Sequence, residues 1–236
     1  MITRFSLLFL AVTVVLLFMS TYIFSQQQIS NSGFEFWEEI RSDVSEPVKW
    51  NSIKNTDGGM STNRLAPDVI SRSEIAHSGK YSIMMVNKSA LGIVANGIVT
   101  NGAIHGSTDK DKSYMYTDAK KTEFSTPFIS RPDSLTGWYM YTPQGKDSAM
   151  VILLLHKGYI TLPDHGTKGN WVGGVKLLLP ATKKNKWTRF SVPVQYFQKG
   201  YPQYVIVILS AGNRKQAVKG SVAYFDDLKL IYNKGK

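Results

Sequence analysis

The 236-residue sequence predicts an all-β protein, a two-sheet antiparallel β-sandwich, and three observations carry that expectation. Short runs rich in Val, Ile, Thr, Tyr, Phe and Trp dominate after Gln28, and no window holds a sustained apolar stripe at helical spacing. Clusters of Gly, Pro, Asn and Asp punctuate these runs, at 57–59, 67–68, 131–133, 143–145, 162–164, 199–200 and 211–213, mostly too closely spaced for intervening helices. Two runs, VILLLH at 151–156 and YVIVIL at 204–209, are apolar at successive positions. Successive strand residues point to opposite sides of a sheet, so both runs need cover on both faces and belong in the middle of a packed sandwich.

In chain order the strands are expected at 81–86, 91–100, 122–129, 134–141, 149–159, 172–179, 186–197, 203–209 and 221–232. Apart from the two central runs they alternate, as a half-solvated sheet requires. Residues 108–121 (TDKDKSYMYTDAKK) form a polar insertion carrying Tyr114 and Tyr116, expected as a long loop or short hairpin. With no repeat, linker or composition break, residues 26–236 read as one domain.

Ahead of that domain, residues 1–25 read as a secretory signal peptide: a basic head ending at Arg4, the apolar run 5–24, and small Ser25 before Gln26. An uncleaved anchor is the rival reading. Either way the domain is expected outside the cytoplasm, in the periplasm, at the cell surface or beyond, with no membrane span once the leader is removed. The sequence contains no cysteine, which excludes disulfides, thiolate metal sites and a catalytic thiol. Its formal charge of +11 suits an anionic partner, an acidic polysaccharide or the outer envelope, rather than nucleic acid. The densest basic groups, Lys120-Lys121 and Lys183, Lys184 and Lys186, are too short for a nucleic-acid arm.

The stretch 31–37 (NSGFEFW) followed by Pro47-Val48-Lys49-Trp50 resembles the entry of jelly-roll carbohydrate-binding modules with a galactose-binding-like sandwich. The segments 77–82 (HSGKYS) and 221–230 (SVAYFDDLKL) look like an early turn and the closing strand of the same fold. The central blocks 91–97 (LGIVANG), 100–107 (TNGAIHGS) and 132–139 (PDSLTGWY) are similar to the PCMD (carbohydrate metabolism domain) family of exported Bacteroidetes proteins. That resemblance, over nearly all of residues 29–233, implies a jelly-roll sandwich, export, and a role in binding or processing glycans.

Glu35 and Asp226 are singled out for a cation. Asp226 shares the parity of Val222, Tyr224, Leu228 and Leu230, which would set a carboxylate on or beside the apolar face. In the calcium-bearing modules the chain resembles, a Glu of the entry motif and an Asp of the closing strand share a structural Ca²⁺, an ion suited to hard oxygen ligands. A lysine or backbone hydrogen-bond partner, or a solvated strand edge, would serve Asp226 equally well.

Sugar rings stack their C–H faces on aromatics while polar groups bond the hydroxyls, so exposed aromatics beside such groups are candidates for glycan binding. These are Trp171 in a glycine-rich stretch, Tyr114, Tyr116, Tyr159 and Tyr201, with Asn96 and His105 as polar contacts. Trp37, Trp50, Trp138 and Trp187 lie in strand contexts and are expected to pack. Catalysis has little support: no His-x-x-x-His, Glu-x-x-His or G-x-S-x-G spacing occurs, and no carboxylate pair stands out for a glycosidase. The readings left by the sequence are a non-catalytic carbohydrate-binding protein, a glycoside hydrolase, and an envelope scaffold or adhesion protein.

Overall fold

A computed structural model describes residues 26–90, 92–107, 109, 111–213 and 217–233. The expected leader at 1–25 lies outside the described residues, among which no helix is long and apolar enough to cross a membrane. The first half of the chain makes short elements: β1 (Trp37–Arg41), β2 (Val44–Pro47), helix α1 (Gly59–Leu65), β3 (Ile70–Ser73), β4 (Ser82–Val86), β5 (Lys88–Ala90), β6 (Ile93–Ala95), β7 (Ile98–Thr100), β8 (Ala103–His105) and β9 (Tyr114–Tyr116). The second half makes the long strands: β10 (Ser134–Thr142), β11 (Met150–His156), β12 (Thr161–Leu162), β13 (Trp171–Leu178), β14 (Lys184–Pro193), β15 (Gln195–Tyr196), β16 (Tyr204–Ser210) and β17 (Val222–Ile231).

Two five-stranded sheets form the sandwich, ordered β14-β10-β17-β4-β3 and β15-β13-β11-β16-β7, and their described pairings are antiparallel. Alternate residues of each sheet fill the space between them. Ile83, Met85, Leu135, Tyr141 and Phe225 come from the first sheet, and Val151, Leu153, Leu155, Val205 and Val207 from the second. The runs 151–156 and 204–209 do sit centrally, as neighbours in the second sheet. Their other parity, Leu154, Ile206 and Ile208, packs with Ile160 and Leu162 beneath a three-stranded sheet, β12-β9-β8.

Several expectations needed correction. The run 91–100 is divided between two sheets, because β6 pairs with β5 while β7 joins the edge of the second sheet. Gly97 makes the break: its N–H bonds Asn87 Oδ1 at 2.9 Å, and a Cβ there would lie 2.6 Å from the Val86 nitrogen. Residues 122–129 form no strand and only a bridge between Pro127 and Tyr204. Proline has no N–H for a ladder, and the chain before it turns back on itself, with the Phe124 N–H bonded to Lys121 O and the Asp118 N–H to Phe124 O. Helix α1, outside the all-β expectation, occupies the segment just after the 57–59 turn and is held by Asn63, whose side chain bonds Thr56 at both its hydroxyl and its carbonyl.

The parity expected for Asp226 also changes midway along β17. The register passes from Thr136↔Lys229 to Trp138↔Asp226, a bulge at which Asp227 adopts φ +48°. Phe225 and Ala223 therefore face the core before the bulge and Leu228 and Leu230 after it, while Asp226 lies on the outer side with Tyr224. Gly137 stands opposite, where a Cβ would come within 2.7 Å of both Leu228 and Phe190.

Candidate functional site

The outer face of the second sheet floors a cleft of about 1270 Å³. Met150, Ile152 and Leu154 of β11 and Ile98 of β7 form its base, and α1, the β5–β6 hairpin and the inner side of β8 and β9 stand around it. Of the sequence candidates, Trp171, Asn96 and His105 line this cleft. Trp171 begins β13, with Phe197 6.4 Å away between ring centroids, and its indole N–H finds no acceptor among the described residues. The Asn96 amide makes a long bond, 3.5 Å, to Gly212 O.

Strand β9 divides the remaining candidates by parity. Met115 faces the cleft and the small apolar cluster beneath, so Tyr114 and Tyr116 take the opposite, outward side. There Tyr114 stacks on His105 at 4.6 Å and 21°, receives the edge of His165 at 5.2 Å, and lies 5.8 Å from Tyr116. Tyr159, half exposed, completes the row 6.0 Å beyond Tyr116. The Asp57 carboxylate organises the group, accepting from Tyr116 Oη at 3.1 Å, His105 Nδ1 at 3.0 Å and the Gly106 N–H at 3.2 Å. Burial and the Asp57 charge push the Tyr116 hydroxyl well above the usual phenol range, and burial with Tyr114 pushes Tyr159 up to about 12, so both remain O–H donors. Sequence reasoning named the tyrosines and His105 but missed Asp57 and His165, which lie far away in the chain and within ordinary turn signals. Tyr201, on the turn before β16 and 67% exposed, makes no ring contact with this patch among the described residues.

Glu35 and Asp226 converge on one turn, residues 77–81. Glu35 accepts from the Lys80 N–H at 3.0 and 3.1 Å and the Tyr81 N–H at 3.2 Å. Asp226 is fully buried and accepts from the N–H groups of His77 (2.7 Å), Ser78 (3.3 Å) and Asp227 (2.8 Å). Asp227 receives the Ser78 hydroxyl at 2.9 Å and lies 2.6 Å from His77 Nδ1, whose ring stacks on Trp138 at 3.8 Å. Backbone amides thus meet both carboxylates, and among the described residues there is no group of three or more His, Asp or Glu side chains placed to hold a metal ion. The two carboxylates close the 77–81 turn onto the entry segment and the closing strand through backbone amides. The expectation of a structural Ca²⁺ at this turn is tested by a melt in excess EDTA: a fall in melting temperature that added Ca²⁺ reverses is the result expected of a bound ion, and an unchanged melt would leave the turn held by its amide bonds alone.

No family model matches the chain, and no curated protein matches its sequence. Solved structures do. A protein of Bacteroides thetaiotaomicron provisionally called a glycoside hydrolase superposes with a TM-score of 0.57 at 16% identity, over 71% of this chain and 58% of that one. The likeness is one of fold. The chain spans less than two thirds of that protein's length. A carbohydrate-binding module, TmCBM61, solved with β-1,4-galactotriose, matches with a TM-score of 0.39 at 11% identity over 89% of this chain and all of its own. A family 16 carbohydrate-binding module gives 0.37 at 13% identity, over 69% and 85%.

Proposed function

We propose that this chain is an exported, non-catalytic carbohydrate-binding β-sandwich of the PCMD type, acting in glycan capture, with acidic polysaccharides among its ligands. The observation that carries the reading is the outward patch of Tyr114, Tyr116, Tyr159, His105 and His165 around Asp57. Its rings offer faces for the C–H side of a sugar, and its hydroxyls, imidazoles and carboxylate offer donors and acceptors for the hydroxyls. The net charge of +11 raises the local concentration of anionic glycans and gives their binding a salt dependence.

A glycan-array screen with product analysis on any hit tests the proposal. Binding without turnover is expected. On a confirmed ligand, Tyr159→Ala should weaken binding about tenfold, the loss of one stacking face. Tyr201→Ala should leave it unchanged. Equal losses from both variants would remove the patch from the reading, and cleavage products would turn the protein into a glycan-processing enzyme.

A further inference from the structure

The cleft on the second sheet is chemically unlike the tyrosine patch and poses a separate question. An open sheet face ordinarily alternates to polar side chains, yet here Met150, Ile152, Leu154 and Ile98 face outward together. Leu178 and Phe197 extend the apolar floor and are each about half exposed. Opposite them, Ile93 of the β5–β6 hairpin and Leu65 of α1 present further exposed aliphatic surface. The aliphatic side chains of the floor offer a sugar's hydroxyls no partner, the polar lining such as Asn96, His105 and Gln195 coming from other parts of the cleft, whereas a methylene chain on that floor gains from every group removed from water.

One charge breaks the apolar floor. Lys176 of β13 lies in register with Ile152, lines the cleft, and takes part in no ion pair among the described residues. The acid in the cleft wall, Asp164, is already bound by the Thr167 N–H at 2.6 Å and its hydroxyl at 2.9 Å. A free ammonium group at the edge of an aliphatic floor, in a chain of charge +11, is complementary to a negative head on an apolar tail.

We propose that the cleft binds an anionic amphiphile, an aliphatic chain in the groove with its carboxylate or phosphate head on Lys176. The proposal does not rest on the glycan reading, whose tyrosines lie on the opposite face of β9, although the two sites adjoin at His105. A free fatty acid and a phospholipid head share this chemistry, and the test separates them.

The probe is cis-parinaric acid, whose fluorescence rises in apolar surroundings, titrated into the whole protein and displaced by octanoate, decanoate and dodecanoate, by dodecyl phosphate, and by dodecanol. Affinity is expected to rise with chain length, by up to about fourfold per methylene. The anionic heads should compete about tenfold better than the alcohol, and Lys176→Gln should abolish that advantage with the melting temperature unchanged, since the residue is exposed. Ile93→Glu, on the exposed hairpin, should weaken every chain. Preference for dodecanoate identifies a free acid as the source, and preference for dodecyl phosphate a phospholipid head. Absence of parinaric acid binding, affinity indifferent to chain length, or a head-group preference that survives Lys176→Gln would each overturn the proposal. None of these results touches glycan binding at Tyr159, so the two readings fail separately.

Discussion

Asp147→Ala is expected to destabilise the protein by about 4 kcal/mol, enough to lower the melting temperature by on the order of 10 °C in a domain of this size. The carboxylate is fully buried at the end of the turn leading into β11. Its Oδ1 accepts from the N–H groups of Ser148 (2.8 Å) and Asn213 (3.1 Å), and its Oδ2 from Asn87 Nδ2 (2.8 Å) and the Val218 N–H (2.9 Å). Asn87, itself fully buried, carries the connection onward. Its Oδ1 holds the Gly97 N–H, and its backbone exchanges bonds with Ser221 and Gly220. The knot thereby ties the end of β4, the entry to β7, the turn before β11 and the connection from β16 to β17, which belong to different sheets. Alanine would leave four donors without their acceptor, the fully buried Asn87 amide among them, and a buried donor left so costs about 1–3 kcal/mol before relaxation, the part-buried ones less. Asp109→Ala is the matched control. Its contact with Lys112 is long, at 3.7 Å, and exposed, so its loss should change stability by less than about 0.5 kcal/mol. Thermal melts of the two variants test the argument, and a loss at Asp147 no larger than that at Asp109 would mean the knot carries no net stability.

The fold was readable wherever periodicity and side-chain volume decide the outcome, and hidden wherever the deciding contact comes from elsewhere in the chain. The runs 151–156 and 204–209 needed cover on both faces, and they have it, one face in the core and the other beneath the small sheet and along the cleft. The demand for that second cover was the sequence's one sign of the cleft. By contrast, the break at Gly97 depends on the Asn87 side chain, and the reversal of parity at Asp226 depends on a bulge accommodated by Gly137 on another strand. Neither leaves a local signal. The short strands β8, β9 and β12 have too few residues to show alternation, although in YMY at 114–116 the three side chains divide between two faces as strand geometry requires. That division placed Tyr114 and Tyr116 on the outside, with His105 reaching both the tyrosines and the cleft, whereas Trp171 and Asn96, chosen on the same chemical grounds, line the cleft. Residue type indicated that a ring could meet a ligand, and topology decided which rings stand together.

Between pH 4 and pH 6 two buried groups are expected to act on the stability of the protein in opposite directions. His156 is fully buried and suits the neutral ring, with Nδ1 donating to Gly158 O at 3.1 Å and Nε2 accepting from the Thr117 hydroxyl at 2.9 Å. Burial lowers it from 6.5 to about 4. The unfolded chain therefore takes up this proton first as pH falls, and the stability that His156 contributes above pH 6.5 is lost on the way down to pH 4. Asp226 behaves oppositely. Burial, with the neighbouring Asp227 charge, raises it from 3.8 to about 6 against the amide bonds of its cradle. The unfolded chain releases this proton first as pH rises, so the stability present below pH 3.8 is lost by pH 6. Shifts of this size correspond to about 3 kcal/mol for each group at full extent. The two variants should tilt the profile in opposite senses. Asp226→Asn leaves His156 alone, and that protein should lose stability as pH falls from 6 to 4. His156→Gln leaves Asp226 alone, and that protein should gain stability over the same interval. Urea midpoints at matched pH values measure both slopes, and the other carboxylates cancel when each variant is compared with wild type. Any fixed cost of substituting either side chain moves a whole curve without tilting it. Two variants with the wild-type slope would show that neither group changes its proton affinity on folding.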